Sequence, residues 1–217
     1  MRILLCAATE LELRPTLAYL EEKNLHQEVE VLITGVGLVA STYSLAKRLA
    51  KNHPGLVIQT GVAGALNEEL ILGQVVVVGS EIIGDEGVAE SGTFHSLFAL
   101  KLADAGKSPY RNGKLLNNHL PKWAPAGLPV VHGVSVNQIS TNGEQIDYYR
   151  DHLGADIETM EGAALHYVAG AEGVPFLQLR AISNYVGERN KSKWVLREAI
   201  EHVNRETQNI LTKLLDI

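Results

Sequence analysis

The stretch Gln74-Val75-Val76-Val77-Val78-Gly79 is apolar at every interior position. A strand with one solvated face alternates apolar and polar residues. An unbroken valine run instead predicts a strand covered on both faces, interior to a sheet that lies between two layers. Outward from it, Arg2–Ala8, Val29–Thr34, Leu56–Thr60, Pro129–Val134 and Pro175–Ile182 also read as strands. Helical patterns separate them. Leu38–Asn52 carries Leu38, Ser41, Leu45 and Leu49 near helical spacing, and the Ala-rich Glu161–Gly173 ends on a glycine just before Pro175. Lys193–Leu215 puts Val195, Ala199, Val203, Ile210 and Leu214 on one stripe, the mark of an amphipathic helix packed on a core. This alternation predicts a layered α/β fold, and 217 residues suit a single domain, 1–217.

Composition excludes several functions. The 46% apolar and 20% charged fractions are those of an ordinary globule. A net charge of −6 argues against a nucleic-acid partner, which needs a basic surface. No run approaches 18 apolar residues, so no membrane partner is expected. The N-terminal apolar run passes directly into Thr9-Glu10-Leu11-Glu12 and reads as a first strand, not a signal peptide, which makes a reducing cytoplasm the expected compartment. The single cysteine, Cys6, reads as a small buried hydrophobe and rules out a disulfide framework. The eight histidines show no pair at ligand spacing, so no metal is expected. Gly35-Val36-Gly37 resembles the start of a dinucleotide fingerprint, but Val57 and Gln59 stand where its acidic residue should fall. There is no Gly-x-Ser-x-Gly elbow and no phosphate loop with lysine, and no organic cofactor is implied.

Glycines cluster where strands should end: Gly35 and Gly37, Gly61 and Gly64, Gly84 and Gly87. Ligands of α/β sheets collect at such exits, although turn chemistry alone would also use glycine there. Glu81–Ala126 is long, polar and irregular, the pattern of a lid or binding loop. Three further segments could carry chemistry. Glu10 and Glu12 follow the first strand. Glu158-Thr159-Met160-Glu161 opens the Ala-rich helix. Arg180-Ala181-Ile182-Ser183-Asn184 closes an apolar strand. The two acidic segments also suit ordinary helix N-termini. Arg180 is harder to dismiss, because a strand interior rarely holds arginine without a partner.

Together with Thr34-Gly-Val-Gly37 and Gln59-Thr-Gly-Val-Ala-Gly64, these segments make the chain resemble the nucleoside phosphorylase/nucleosidase superfamily nearly end to end. The bacterial methylthioadenosine/S-adenosylhomocysteine nucleosidases look nearest, and Ile182–Trp194 looks most like the futalosine hydrolases. The resemblance implies a three-layer α/β/α sandwich with a mixed central sheet. It also implies cleavage of a purine N-glycosidic bond. For the futalosine hydrolases the products are hypoxanthine and dehypoxanthine futalosine, on the alternative menaquinone pathway. Carried over by motif, Glu161 holds the ribose hydroxyls and stabilises the ribosyl cation, Met160 packs on the sugar, and Glu12 orients and deprotonates water. Glu10, one step away, would be turned elsewhere by strand alternation. Val62, Gly64 and Phe94 are further expected substrate contacts, with Arg180 orienting a carboxylate and Ser183 the amide.

Position 184 departs from the methylthioadenosine enzymes, which have Asp there. An amide cannot donate a proton as an acid, but it offers both NH₂ and carbonyl. It therefore suits a 6-oxopurine leaving as the N7–H base and disfavours adenine. Gln59 and Val62 replace the Arg and Ser that hexameric phosphorylases turn toward phosphate, which makes water the nucleophile. The substrate's 5′ aromatic carboxylate calls for an apolar pocket with one cation or donor. Candidates are Phe94, His95, Phe98, Arg111 and Lys114, and the base-stacking residue falls within Ser135–Ser140. A homodimer or an assembly of dimers is expected. Two other readings stay open. One is a nucleosidase for aminodeoxyfutalosine, methylthioadenosine/S-adenosylhomocysteine or inosine; the other is a non-catalytic nucleoside-binding protein.

Overall fold

The computed structural model of the protein describes residues 1–217. The first strand, β1 (Ile3–Ala7), shows how the layers arise. Its side chains alternate: Ile3, Leu5 and Ala7 enter one apolar cluster, and Leu4 and Cys6 enter another. The first cluster is closed by α1 (Glu10–Glu22) and α6 (Leu196–Leu215), the second by α2 (Leu38–Leu49) and α5 (Gly162–Glu172). Both faces of the sheet are thus covered, giving the three-layer α/β/α sandwich expected from the valine run.

The sheet is mixed. β2 (Val29–Ile33), β1 and β3 (Leu56–Ala65) run parallel, and β3 pairs with the parallel β11 (Phe176–Tyr185) along its whole length. β4 (Val75–Ile83) pairs antiparallel with β11 and parallel with β9 (Val130–Ser135). β9 pairs with the short β10 (Ile157–Thr159), which returns to β3 antiparallel at Gly64 and Ala65. The five strands β3, β10, β9, β4 and β11 therefore close on themselves. Closure needs longer strands than the sequence suggests: β3, β4 and β11 all run on past the ends read at Thr60, Gly79 and Ile182. Gly61 and Gly64 consequently lie inside β3, not at a strand exit. Their lack of a side chain serves close approach. A Cβ on Gly61 would stand 2.6 Å from Arg180 Nη1 and 2.8 Å from Glu12 Oε1.

Helix α1 was not legible from apolar spacing. It starts from a capping box in which Thr9 Oγ1 accepts from Glu12 N–H and Glu12 accepts from Thr9 N–H. The segment read as irregular from Glu81 begins inside β4. It then carries the hairpin β5 (Gly87–Glu90)/β6 (Thr93–Ser96), the short β7 (Tyr110–Arg111) and β8 (Lys114–Leu116) on the edge of β4, and α3 (Leu120–Trp123). After β9, α4 (Gly143–Asp147) continues into a wider turn at Tyr148–His152. No helix is long and apolar enough to cross a membrane.

Candidate active site

Where β1, β3, β10 and β11 end, α1, α5 and α6 enclose a cleft of about 310 Å³. Its lining includes Glu12, Val62, Gly64, Met160, Glu161, Ser183 and Asn184, residues drawn from four separate parts of the chain. A larger cavity of about 610 Å³ lies elsewhere, between the β5/β6 hairpin and α4, and contains none of these groups. Phe94 belongs to that second cavity, where its ring meets Tyr148 edge-on with centroids 5.7 Å apart. The expected contact of Phe94 with the cleft is therefore not present within this chain.

Glu161 caps the start of α5, yet its side chain makes no capping bond. The carboxylate turns to the cleft floor, where Gly37 N–H donates to Oε1 at 3.0 Å and Arg180 Nη1 stands 3.6 Å from Oε2. Gly37 has φ +90° and opens α2, a backbone conformation that favours glycine. The carboxylate thus faces the positive end of α2 and a guanidinium, a setting that favours negative charge. Arg180 is only 2% exposed; Nη1 also donates to Val62 O at 3.3 Å and Nη2 to Gln59 Oε1 at 3.1 Å. It lies behind the cleft floor, beside the Glu161 carboxylate.

Glu12 reaches the cleft from the first turn of α1. Its Oε2 accepts from Thr9 N–H at 3.0 Å and Thr9 Oγ1–H at 2.9 Å, and Val62 N–H lies 3.4 Å from Oε1. Glu10 is exposed and does not line the cleft. The cause is helical phase and not strand alternation, since both residues lie in α1.

The Asn184 amide is oriented by its neighbours. Tyr185 O can only accept, so the NH₂ faces it at 2.9 Å, and the carbonyl accepts from Ser183 Oγ–H at 2.8 Å. One N–H and one carbonyl lone pair remain for a ligand. Ser183 is thus the side chain that touches the amide carbonyl.

Glu158 and Arg189 are among the cleft residues with no assigned role in the sequence reading. Glu158 is 7% exposed and accepts from Ser140 N–H at 3.1 Å; burial pushes its carboxyl up from the ordinary value, and Oε2 has no partner. Arg189 is the one cation of the lining and stands over the Trp194 ring at 5.7 Å. Glu158 opens a segment that the sequence singles out but shares it with Glu161, and Arg189 does not stand out, because an arginine in a polar loop is commonplace. The lining joins carboxylates and an amide to an apolar wall of Leu11, Val36, Ile139, Leu196 and Ile200. Such a site can bind a polyol, stabilise a cation and grip a polar ring edge.

The model of the Phosphorylase superfamily matches residues 17–216. A futalosine hydrolase of Thermus thermophilus is 32% identical over 184 residues, 84% of this chain and 80% of that protein. A 5′-methylthioadenosine/S-adenosylhomocysteine nucleosidase of Haemophilus ducreyi is 32% identical over 159 residues, 72% of this chain and 67% of its own length. Among solved structures, the native futalosine hydrolase of Helicobacter pylori superposes with a TM-score of 0.80 at 19% identity, covering 98% of both chains.

Proposed function

Because the chain belongs to the Phosphorylase superfamily, we propose that it is a purine nucleosidase that hydrolyses the N-glycosidic bond of futalosine and releases hypoxanthine. The observation that carries the choice of base is the Asn184 amide, oriented so that one donor and one acceptor remain. The donor meets the 6-oxo group and the carbonyl accepts from N7–H of the departing hypoxanthine. Adenine offers an amino donor at position six and would need the amide reversed, against the Tyr185 carbonyl. A buried polar mismatch of this sort can reach roughly 10⁴–10⁵ in discrimination.

The glycosidic bond breaks toward a ribosyl cation, and preorganised opposite charge is usually the largest stabilising effect. Glu161, backed by Gly37 N–H and Arg180, fills that role and accepts from the ribose 2′- and 3′-hydroxyls, with Met160 against the sugar. Glu12 shares the cleft and takes the proton of the attacking water, an effect of about 10²–10⁴-fold for general bases. Val62 lines the cleft with methyl groups, and Gln59 is turned away onto Arg180, so a phosphate nucleophile would lack a charged partner there. The reading extends to a cytoplasmic homodimer or assembly of dimers, whose second subunit could bring an aromatic to the cleft mouth that Phe94 does not reach in one chain.

The test is a comparison of free base released from futalosine, inosine and methylthioadenosine, followed by chromatography. Hypoxanthine from futalosine should appear fastest. Adenine released faster than hypoxanthine would overturn the base assignment, and tight nucleoside binding without turnover would overturn the hydrolase.

A further inference from the structure

Glu81 takes no part in the chemistry above, yet it is wholly buried in β4 at the point where β9, β10, β11 and α5 meet. Its Oε1 accepts from Gln178 Nε2–H at 2.9 Å and its Oε2 from Ser135 Oγ–H at 2.9 Å. Two glycines leave room for it. A Cβ on Gly133 would stand 2.5 Å from Oε1, and one on Gly162 would collide with the same atom. A carboxyl that displaces side chains from two neighbouring elements is poorly explained as filler, since burial of a polar group is costly unless it is bonded.

Its connections lead to the ribose carboxylate. The first N–H groups of a helix have no partner within the helix, and Glu161, the cap residue, supplies none. Ala163 N–H is instead accepted by Ser135 Oγ at 2.8 Å, and Gly162 N–H by Thr159 Oγ1 at 3.2 Å. Ser135 has one hydroxyl hydrogen, and the carboxylate that takes it is Glu81, which leaves the Oγ lone pairs for Ala163. The two hydroxyl oxygens lie 3.0 Å apart, so Thr159 belongs to the same group. Capping of α5 is thereby handed to side chains of β9 and β10, and the Glu161 carboxylate is free to face the cleft.

We propose that Glu81 is a positioning residue for Glu161: through Ser135 it fastens the first turn of α5 and so sets where the ribose-binding carboxylate stands. This rests on the nucleosidase reading for its kinetic consequence, but not for the structural link. The electrostatics agree with close coupling. Burial lifts the Glu81 carboxyl to about 7, with Gln178, Arg180 and Ser135 opposing the rise and Glu161 adding to it.

The experiment combines three variants with a double-mutant cycle, with hypoxanthine release from futalosine and inosine as the assay and circular dichroism as the check on folding. Glu81→Gln retains an acceptor for Ser135, and Gln178 can turn over to offer its unpartnered Oε1; kcat should stay within about threefold of the parent. Glu81→Leu removes the acceptor, and displacement of Glu161 by a fraction of an ångström should lower kcat by about 10²-fold. Ser135→Ala breaks the same link one atom further on, and should cost about tenfold. In a Glu161→Gln background, both losses should shrink to about threefold or less, because coupled residues are not additive. Folded Glu81→Leu or Ser135→Ala protein with parental kcat overturns the proposal, as does a loss that persists undiminished in the Glu161→Gln background. If Glu81→Leu does not fold, Ser135→Ala carries the cycle. Hydrogen exchange needs no turnover. Faster exchange at Gly162 and Ala163 in Ser135→Ala is expected even if the parent proves inactive on every nucleoside, a result that would sink the nucleosidase reading alone. Unchanged exchange there would sink the positioning role alone.

Discussion

Two regions of the molecule are built in opposite ways. The cleft floor is assembled at strand ends from residues distant in sequence. Gly37 meets Glu161, Glu12 meets Val62, and Arg180 joins Gln59, Val62 and Glu161, all buried or half-buried. The hairpin excursion after β4, made of β5 and β6, is local and open. β5 pairs only with β6, all four of its residues are exposed, and its aromatic neighbours contact one another near the surface. Groups that must stand in a fixed geometry are held where the core over-determines them, whereas the excursion can change its sequence without disturbing that geometry. The floor should therefore be intolerant of single-atom changes and the excursion tolerant of whole side chains.

The sharpest way to break this contrast is Glu12→Gln. The change is isosteric but removes the proposed base, and kcat should fall by about 10²–10⁴-fold with the fold intact. Glu161→Gln should lower kcat by about 10²–10³-fold, since it removes the negative charge proposed to face the ribosyl cation. Steady-state rates on futalosine check both. Parental rates in either variant would show that the floor does not carry the chemistry. Asn184→Asp sharpens the point at the base. It should raise the ratio of adenine to hypoxanthine release by about 10²-fold, because an acid can now protonate a purine that lacks a 6-oxo group. An unchanged ratio would mean that position 184 does not read the base.

The sequence was most informative about the floor. Gly35-Val-Gly37, Met160-Glu161 and Arg180–Asn184 are short local motifs, and the last places polar groups at the end of an apolar strand, so they could be read singly and joined by resemblance. The layers were legible for a similar reason: Val75–Val78 lacks any polar alternation. What escaped notice depends on contacts between elements. Closure of five strands through β10 and β11 lengthens β3 past two glycines, and no local pattern separates a glycine that turns the chain from one that admits an arginine. Glu81 looked like the start of a polar loop because its partners, Ser135 and Gln178, are 54 and 97 residues away. Phe94 was assigned to the cleft on its aromatic character, whereas its position follows from a hairpin that folds toward α4.

A smaller effect tests how deeply the floor is buried. Burial raises the folded Glu81 carboxyl from 4.5 to about 7, so between these values the unfolded chain has already released its proton while the folded chain keeps it. This group's contribution to stability is therefore present below about pH 4.5 and is lost as pH rises toward 7. His166, held to about 4 by burial, has the opposite sign: it costs stability as pH falls from 6.5 toward 4. Glu81→Gln removes the first effect only. Its Tm should exceed that of the parent by several degrees at pH 8 and by less at pH 5, as read by thermal melts. Equal differences at both pH values would mean that Glu81 does not titrate in the buried state described.

The smallest effect is expected in the excursion. Phe94→Ala removes a half-buried ring that meets Tyr148 edge-on and lines the cavity beside the hairpin. Lost packing should cost about 1–2 kcal/mol of stability, less than a fully buried ring. Hydrolysis of inosine should keep kcat and KM within about twofold of the parent, because no floor contact passes through Phe94. A loss of tenfold or more on inosine would end the contrast, since the hairpin of this chain or of a partner would then have to close over the ribose. A rise in KM confined to futalosine, with inosine unchanged, would refine it. Only the longer substrate extends an aromatic arm beyond C5′, so that outcome would assign the excursion to the arm and leave the glycosidic bond to the floor.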